Sequence, residues 1–381
     1  MMRILYWTPL FWPEAGGIEV VAQNMVTGLR DRGHKLLVMA SHGSTLQPDD
    51  TTYEGIPIRR FHFWQALSRR DPSLIAAIRR EIAVLIKDFQ PDVIHCNFSG
   101  YTAYFQLANA TACQAPLLIA LHSSLLGRGT GADTVLGNLL RAADWVTAVS
   151  QSTLDDARAI AGEIGGRSSV IYNGLTLRAS DPAPLPWAEP RLMAIGRLAF
   201  EKGFDLAIAA LKLLRERFPR LTLHLVGDGP ERAALQRQAS DLGIEKSVEF
   251  VGMVPNRMIP GLLKRATIVL IPSRSRESFS LVAVEAAQMG RPVVATAAGG
   301  LREVVREGET GLLVELESPQ AIATAVGTLL ADPQRTGKMG NDAREWARNA
   351  FGLDRMIDEY ETVYRRLAAA KPQVGSNEVR P

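Results

Sequence analysis

Cysteine is nearly absent from this chain: only Cys96 and Cys113 occur, each inside or beside an apolar run. Two such residues make no disulfide framework, which excludes the small stapled secreted classes and fits a reducing compartment. Long apolar runs are missing too. No window approaches the roughly 18 apolar residues of a membrane-spanning helix. The opening "MMRILYWTPLFWPEAGG" has no long apolar signal-peptide segment. The expected location is cytoplasmic. Neither sign of charge is in large excess, and a net +3 does not by itself indicate a nucleic-acid partner. No G-x-G-x-x-G fingerprint occurs, which disfavours a dehydrogenase. No Asp-x-Asp pair stands in a suitable position, so neither a metal nor a resident cofactor is expected.

What is present is alternation. Short apolar strand runs at Arg3–Tyr6, His34–Ala40, Val93–Cys96, Pro116–Leu121, Trp145–Val149 and Ser169–Tyr172 alternate with helical patterns. One of these is Ile18–Arg32, where Val21, Met25 and Leu29 recur at helical spacing. "ASDPAPLPWAEP" (Ala179–Pro190) then breaks the pattern with four prolines and reads as a linker. Alternation restarts at "RLMAI" (Arg191–Ile195) and continues through "TIVLI" and "RPVVAT". The 381 residues therefore predict two Rossmann-like, doubly wound α/β domains with parallel sheets, 1–178 and 191–352. A helix over 353–370 is expected to pack back on the first domain, and 371–381 is expected to be disordered. In such folds ligands bind at the carboxyl ends of strands, here in the cleft between the domains.

The loops that follow strands carry the chemistry. Gly16 and Gly17 open the first helix, where a backbone approaches a ligand closely and the helix start offers an anion site. "GRLAFEKG" (Gly196–Gly203) places Arg197 and Lys202 between glycines, a planar fork and a point charge suited to a diphosphate. In "GDGPER" the glycines read as allowing close passage, with Pro230 as a first helical residue. "SRSRESFSLVAVEAAQMGRPVVA" holds Glu277 and Glu285. Residues eight apart on one helix do not share a face, so Glu277 is expected to precede a helix that starts near Phe279 to Leu281. The amides of Ser278, Phe279, Ser280 and Leu281 would then point at a phosphate, and Glu285 would accept from a ribose diol. A carboxylate, a helix start and a second carboxylate in succession match the layout of a sugar nucleotide.

Together these residues resemble the retaining glycosyltransferases of the GT-B fold, family four. Their E-x7-E motif is met along its length by "ESFSLVAVEAAQMGRPVVA", and their G-R-L-x-x-x-K-G by Gly196–Gly203. The resemblance implies that Arg197 and Lys202 hold the donor diphosphate and that Glu277 lies by the donor-sugar hydroxyls. It puts the amides of Phe279–Leu281 near sugar and phosphate, Glu285 on the ribose and Gly17 beside the diphosphate. His122 matches a histidine that many members place at the donor sugar, although a lone loop histidine also reads as structural. Asn173 is expected to line the cleft. His95 reads as a satisfied core histidine rather than an acceptor-side group. The implied reaction is metal-independent front-face transfer with retention, from a UDP- or GDP-sugar to an unidentified glycan, lipid carrier or small molecule. A GT-B-like epimerase or phosphorylase, or a sugar-nucleotide-binding protein without turnover, are the alternatives.

Two further features bear on the acceptor. Arg59–Arg80 holds six arginines against one aspartate, with Phe61, Phe63 and Trp64 interleaved. It reads either as a solvated helix face over core aromatics or as a peripheral surface for anionic membrane or an anionic acceptor. Tyr6, Trp7, Phe11 and Trp12 are expected to add to an acceptor groove.

Overall fold

The computed structural model describes residues 1–14, 16–98, 100–110, 115–125, 131–177 and 182–370. Cys113, Arg178 at the end of the first predicted domain, residues 179–181 of the predicted linker and the tail 371–381 lie outside the described residues. The chain divides into two compact units. One comprises Met1–Ala148, Leu154–Ile171 and the segment from Met356 onward; the other comprises Val149–Thr153 and Tyr172–Arg355.

The first unit is built on strands β1 (Arg3–Trp7), β2 (Lys35–Ser41), β3 (Asp50–Tyr53), β4 (Ile56–Phe61), β5 (Val93–Asn97), β6 (Leu117–Leu121), β7 (Trp145–Ala148) and β8 (Ser168–Val170). They form one sheet in the order β3-β4-β2-β1-β5-β6-β7-β8. The central runs are apolar without alternation, and "VIHCN" and "LLIAL" are buried at every position, as a sheet covered on both faces requires. One strand departs from the parallel expectation. β3 runs antiparallel to β4, joined by Glu54 and Gly55, both at positive φ. A two-residue turn of that kind matches the right-handed strand twist, which makes this edge a hairpin. The helix Leu353–Ala369 buries Met356, Ile357, Tyr360, Val363, Tyr364 and Leu367 at helical spacing, and from Met356 on it groups with this unit.

The second unit carries β9 (Arg191–Ile195), β10 (Thr222–Val226), β11 (Val248–Gly252), β12 (Ile268–Ile271), β13 (Val293–Thr296) and β14 (Gly311–Val314), in the order β11-β10-β9-β12-β13-β14. All its strand pairs are parallel. Each sheet winds outward in both directions from a reversal point: β1 beside β5 in the first unit, β9 beside β12 in the second. Strands leaving in opposite directions open a crevice at their carboxyl ends, the preferred ligand position of this architecture.

Candidate active site

The basic loop and the first glutamate flank the reversal point of the second sheet. β9 ends at Ile195 and Gly196 follows at φ 152. Gly196 N–H donates to Val226 O at 2.9 Å and Leu198 N–H to Asp228 O at 3.0 Å, so the loop runs along the segment after β10. A Cβ on Gly227 would collide with Gly196 O, and one on Gly229 with Leu198 O. The glycines of "GDGP" thus serve close passage of two loops. Pro230 is not a first helical residue: that helix is Arg232–Asp241.

A short 3-10 turn, Phe200–Lys202, ends at Gly203, whose φ is +64. A Cβ there would strike Pro272 O, so the basic loop presses on the backbone leading to Glu277. Lys202 Nζ consequently lies 2.6 Å from Glu277 Oε1, and Ser273 Oγ donates to the same oxygen at 2.6 Å. The Glu277 side chain is 18% exposed and that of Lys202 34%. Arg197 is not drawn into this cluster. Its guanidinium is 68% exposed and pairs with Glu201 of its own loop at 2.6 Å.

Several residues that sequence reasoning passed over build the rest. Arg274 ties the two loops together. Its N–H donates to Glu201 O at 2.9 Å, and its guanidinium donates to Phe200 O at 3.2 Å. The same fork grips Asp205 bidentately at 2.5 and 2.6 Å and reaches Glu317 at 2.9 Å. Asp205, in the first turn of the next helix, first of all holds the Arg274 charge in place. Thr296 Oγ1 donates to Ser273 O at 2.7 Å. Gly300 N–H donates to Glu277 O at 2.7 Å, and a Cβ on Gly299 or Gly300 would strike the carbonyls of Glu277 or Ser278. In a trans peptide the N–H opposes the C=O, so the N–H groups of Ser278 and Phe279 turn away from the glycine pair. The helix begins at Leu281, behind Ser280 at φ 82, and runs to Gln288. Glu277 therefore precedes it, and the partly buried Glu285 sits one turn past its start. Phe279 is buried between the rings of Tyr172 (6.0 Å) and Phe351 (5.4 Å). Asn173, also buried, follows Tyr172 directly, and the Tyr172 hydroxyl donates to Glu303 at 3.1 Å.

In the first unit, Gly16 caps the helix Gly17–Asp31 in an extended conformation. A Cβ on Gly16 would collide with the Glu19 carboxylate, which lies over this helix start. Burial foremost, and the Glu14 carboxylate after it, push the Glu19 carboxyl up. The expected anion position at Gly16–Gly17 is thus covered by the chain's own acid. His122 follows β6, and its Nε2 lies 3.1 Å from Asn97 Oδ1. His95 is 1% exposed and fully inside the core. Tyr6, Trp7 and Phe11 are each 1% exposed, which overturns their expected place in an acceptor groove; only Trp12 reaches the surface. The arginine patch shrinks likewise. Arg60 is buried and donates to Trp12 O and Pro48 O, while Arg59 pairs with Asp50 and Glu81. Arg69, Arg70, Arg79 and Arg80 stay exposed and form no ion pair among the described residues.

Among the described residues, His42, Asp49 and His62 form a group of three metal-binding side chains whose ligand atoms all lie within 4.8 Å of one another. The two imidazoles stack 4.0 Å apart at 11°. A cation must lie near the plane of each ring that binds it, and these nearly parallel planes do not meet at one point; as placed, the pair does not fit a single ion.

Two family models match adjacent stretches of the chain. "Glycosyltransferase Family 4" matches residues 15–178 and "Glycosyl transferases group 1" matches 180–346. A glycogen synthase of Mycobacterium tuberculosis is 28% identical, over 93% of this chain and 92% of that protein. A GDP-mannose-dependent alpha-(1-6)-phosphatidylinositol monomannoside mannosyltransferase of Mycolicibacterium smegmatis is 42% identical over 42% of this chain and 43% of that protein. Among solved structures, sucrose-phosphate synthase from Thermosynechococcus elongatus superposes with a TM-score of 0.83 at 22% identity, over 97% of this chain and 100% of that one. Anabaena HepE, solved with UDP and glucose, gives 0.76 at 25% identity, over 96% and 100%. With both halves of the chain matched and two parallel-sheet units in its fold, this protein belongs to the family-four glycosyltransferases of GT-B architecture.

Proposed function

We propose that the protein transfers a sugar, with retention at the anomeric carbon and without a metal, from a nucleoside-diphosphate sugar to an acceptor hydroxyl. The observation that carries this reading is the hub at the reversal point of the second sheet, where Lys202 and Glu277 meet 2.6 Å apart. Lys202 and the amides around Ser278–Leu281 would receive the diphosphate, and Arg197 would swing from Glu201 to join them. Charge grows on that leaving group as the glycosidic bond breaks. Fixed donors aimed at it act where they need no reorganisation. Glu277, steadied by Ser273, faces the sugar hydroxyls, and Glu285 takes the ribose diol. His122, Asn173 and Gly16–Gly17 complete the donor contacts, Glu19 moving aside as the phosphates arrive. Relatives named for GDP-mannose and a neighbour solved with UDP support a UDP- or GDP-sugar. The acceptors those relatives are named for span a glycan, a lipid and, in D-inositol 3-phosphate glycosyltransferases, a small phosphate. The test is incubation with UDP-glucose and GDP-mannose plus a panel of such acceptors, with the product anomer read by NMR. An α-linked product supports the reading; a β-linked one overturns retention.

A second reading concerns location. Arg69, Arg70, Arg79 and Arg80 form no ion pair among the described residues; Arg70 and Arg79 line a groove with Tyr104, and Trp64 is 65% exposed. Cations beside exposed aromatics suit the interface of an anionic bilayer. Co-sedimentation with phosphatidylglycerol vesicles that is lost at high salt supports peripheral contact; no co-sedimentation at low salt removes it. Among the described residues no helix is long and apolar enough to cross a membrane.

A further inference from the structure

At the reversal point of the first sheet lies a buried polar cluster with Asn97 at its centre. Tyr6, Thr8, His95 and Asn97 are each at most 1% exposed. Asn97 Nδ2 lies 3.0 Å from the Tyr6 hydroxyl and 3.3 Å from Thr8 Oγ1. Its Oδ1 lies 3.1 Å from His95 Nε2 and 3.1 Å from His122 Nε2. On the other side of His95, Nδ1 stands 2.5 Å from the hydroxyl of Tyr364, on the C-terminal helix.

Counting hydrogens orients the Asn97 amide and the ring edges that face it. Thr8 Oγ1 gives its one hydrogen to Leu10 O at 3.1 Å. Toward Asn97 it can then only accept, so the amide presents NH₂ to Thr8 and its oxygen to the two imidazoles. A carbonyl oxygen has no hydrogen to give, so both rings must present Nε2–H. Burial first, and His122 second, push His95 down to about 3, so it is neutral. Its Nδ1 lone pair accordingly accepts the Tyr364 hydroxyl hydrogen, and burial keeps that phenol protonated.

We propose that Asn97 is a positioning residue for transfer: it holds His122 as the Nε2–H tautomer with its ring fixed at the carboxyl end of β6. The Nε2 edge is committed, so a hydrogen bond that this tautomer makes to a sugar hydroxyl is accepted at Nδ1, an atom that is buried in the ligand-free chain and that the donor must reach. The proposal rests on the reading of His122 as a donor-sugar residue. It adds the proton inventory and a second residue, Asn97, that never touches substrate. It also adds a specificity rule. A site arranged to accept from one hydroxyl discriminates strongly against the donor that lacks it.

The test uses the full chain labelled with 15N-histidine, the His122 signals being assigned with His122→Ala. Long-range 1H–15N correlation should show His122 protonated at Nε2 and bare at Nδ1, in the wild type without ligand. Asn97→Leu should release it into a tautomer mixture. Donor hydrolysis, followed with UDP-glucose and GDP-mannose, should then fall at least tenfold in kcat with a smaller change in donor KM. Wild-type His122 protonated at Nδ1 overturns the proposal even if Asn97→Leu does not fold. So does a folded Asn97→Leu with native tautomer and native kcat. Full turnover by His122→Ala also overturns it, through its premise, and is told apart because the wild-type tautomer remains as stated.

Discussion

Replacing Lys202 with Met separates what the 2.6 Å pair with Glu277 does for folding from what it does for chemistry. In the ligand-free protein the ammonium neutralises a carboxylate that is only 18% exposed. Stranding a fully buried partner costs about 3–5 kcal/mol, whereas breaking an exposed pair costs about 0–1 kcal/mol. Glu277 keeps the Ser273 hydroxyl on the same oxygen and some water, so a loss of about 1–2 kcal/mol follows. For a unit of this size that is a fall of roughly 2–8 °C in Tm. Chemistry should suffer more. Removing one preorganised donor to a developing anion costs about 10²–10³ in kcat, or roughly 3–4 kcal/mol. The two effects part in the double variant Lys202→Met, Glu277→Gln. Without a stranded charge its melting should return toward wild type, while turnover stays low. The assays are a thermal melt and nucleoside-diphosphate release from UDP-glucose and GDP-mannose. A folded Lys202→Met with wild-type kcat would refute the reasoning, as would a double variant that regains both properties.

Other consequences follow from the same geometry. Ser280 sits at φ 82 without a glycine's freedom. Such a conformation costs about 1–2 kcal/mol, glycine's added chain entropy returns about 0.5–1, and Ser280→Gly should raise stability by roughly 0.5 kcal/mol in a urea titration. Arg274→Lys keeps a charge but loses the bidentate hold on Asp205. It should raise donor KM severalfold, with acceptor KM unchanged. Glu361 accepts from His34 at 2.7 Å and lies by Arg32 and Arg365. Burial pushes its carboxyl up, but those three partners outweigh burial and the net shift is downward. A depressed folded value means the stabilisation is present above the ordinary value near pH 4.3 and is lost as pH falls through the folded one. Glu361→Gln should therefore destabilise by roughly 1–2 kcal/mol at pH 7, a gap that closes in paired melts as pH falls through the depressed folded value.

The order of elements was largely legible because buried strands such as "LLIAL" and "RLMAI" are short apolar runs between helical patterns. So was Glu277's place before its helix, because residues eight apart on one helix point about 80° away from each other and the loop residues after "TIVLI" precede the apolar helical run. The hairpin of β3 and β4 was not, since Glu54–Gly55 is a weak turn signal and "IPIRRF" looked like the edge of a charged stretch. Arg60 read as surface charge because nothing local announces that Trp12 O and Pro48 O will meet it. Tyr6 and Trp7 read as groove residues because an aromatic in a core strand and one beside a ligand look alike in one dimension. Arg274, Asp205 and Gly299–Gly300 were invisible as a set: they converge only once β9, β12 and β13 lie side by side. The cover over Gly16 by Glu19 illustrates a further limit, since the spacing alone does not say whether a first-turn acid faces outward or folds back.

The central claim is that a diphosphate is held by basic side chains and a helix start in place of a metal. It is tested most directly by thermal shift with UDP and GDP in EDTA, on wild type and on Lys202→Met. The account predicts that at least one nucleotide stabilises the wild type without divalent cation, by an increment that Lys202→Met loses. Stabilisation that requires added magnesium or manganese, or that survives unchanged in Lys202→Met, would contradict it.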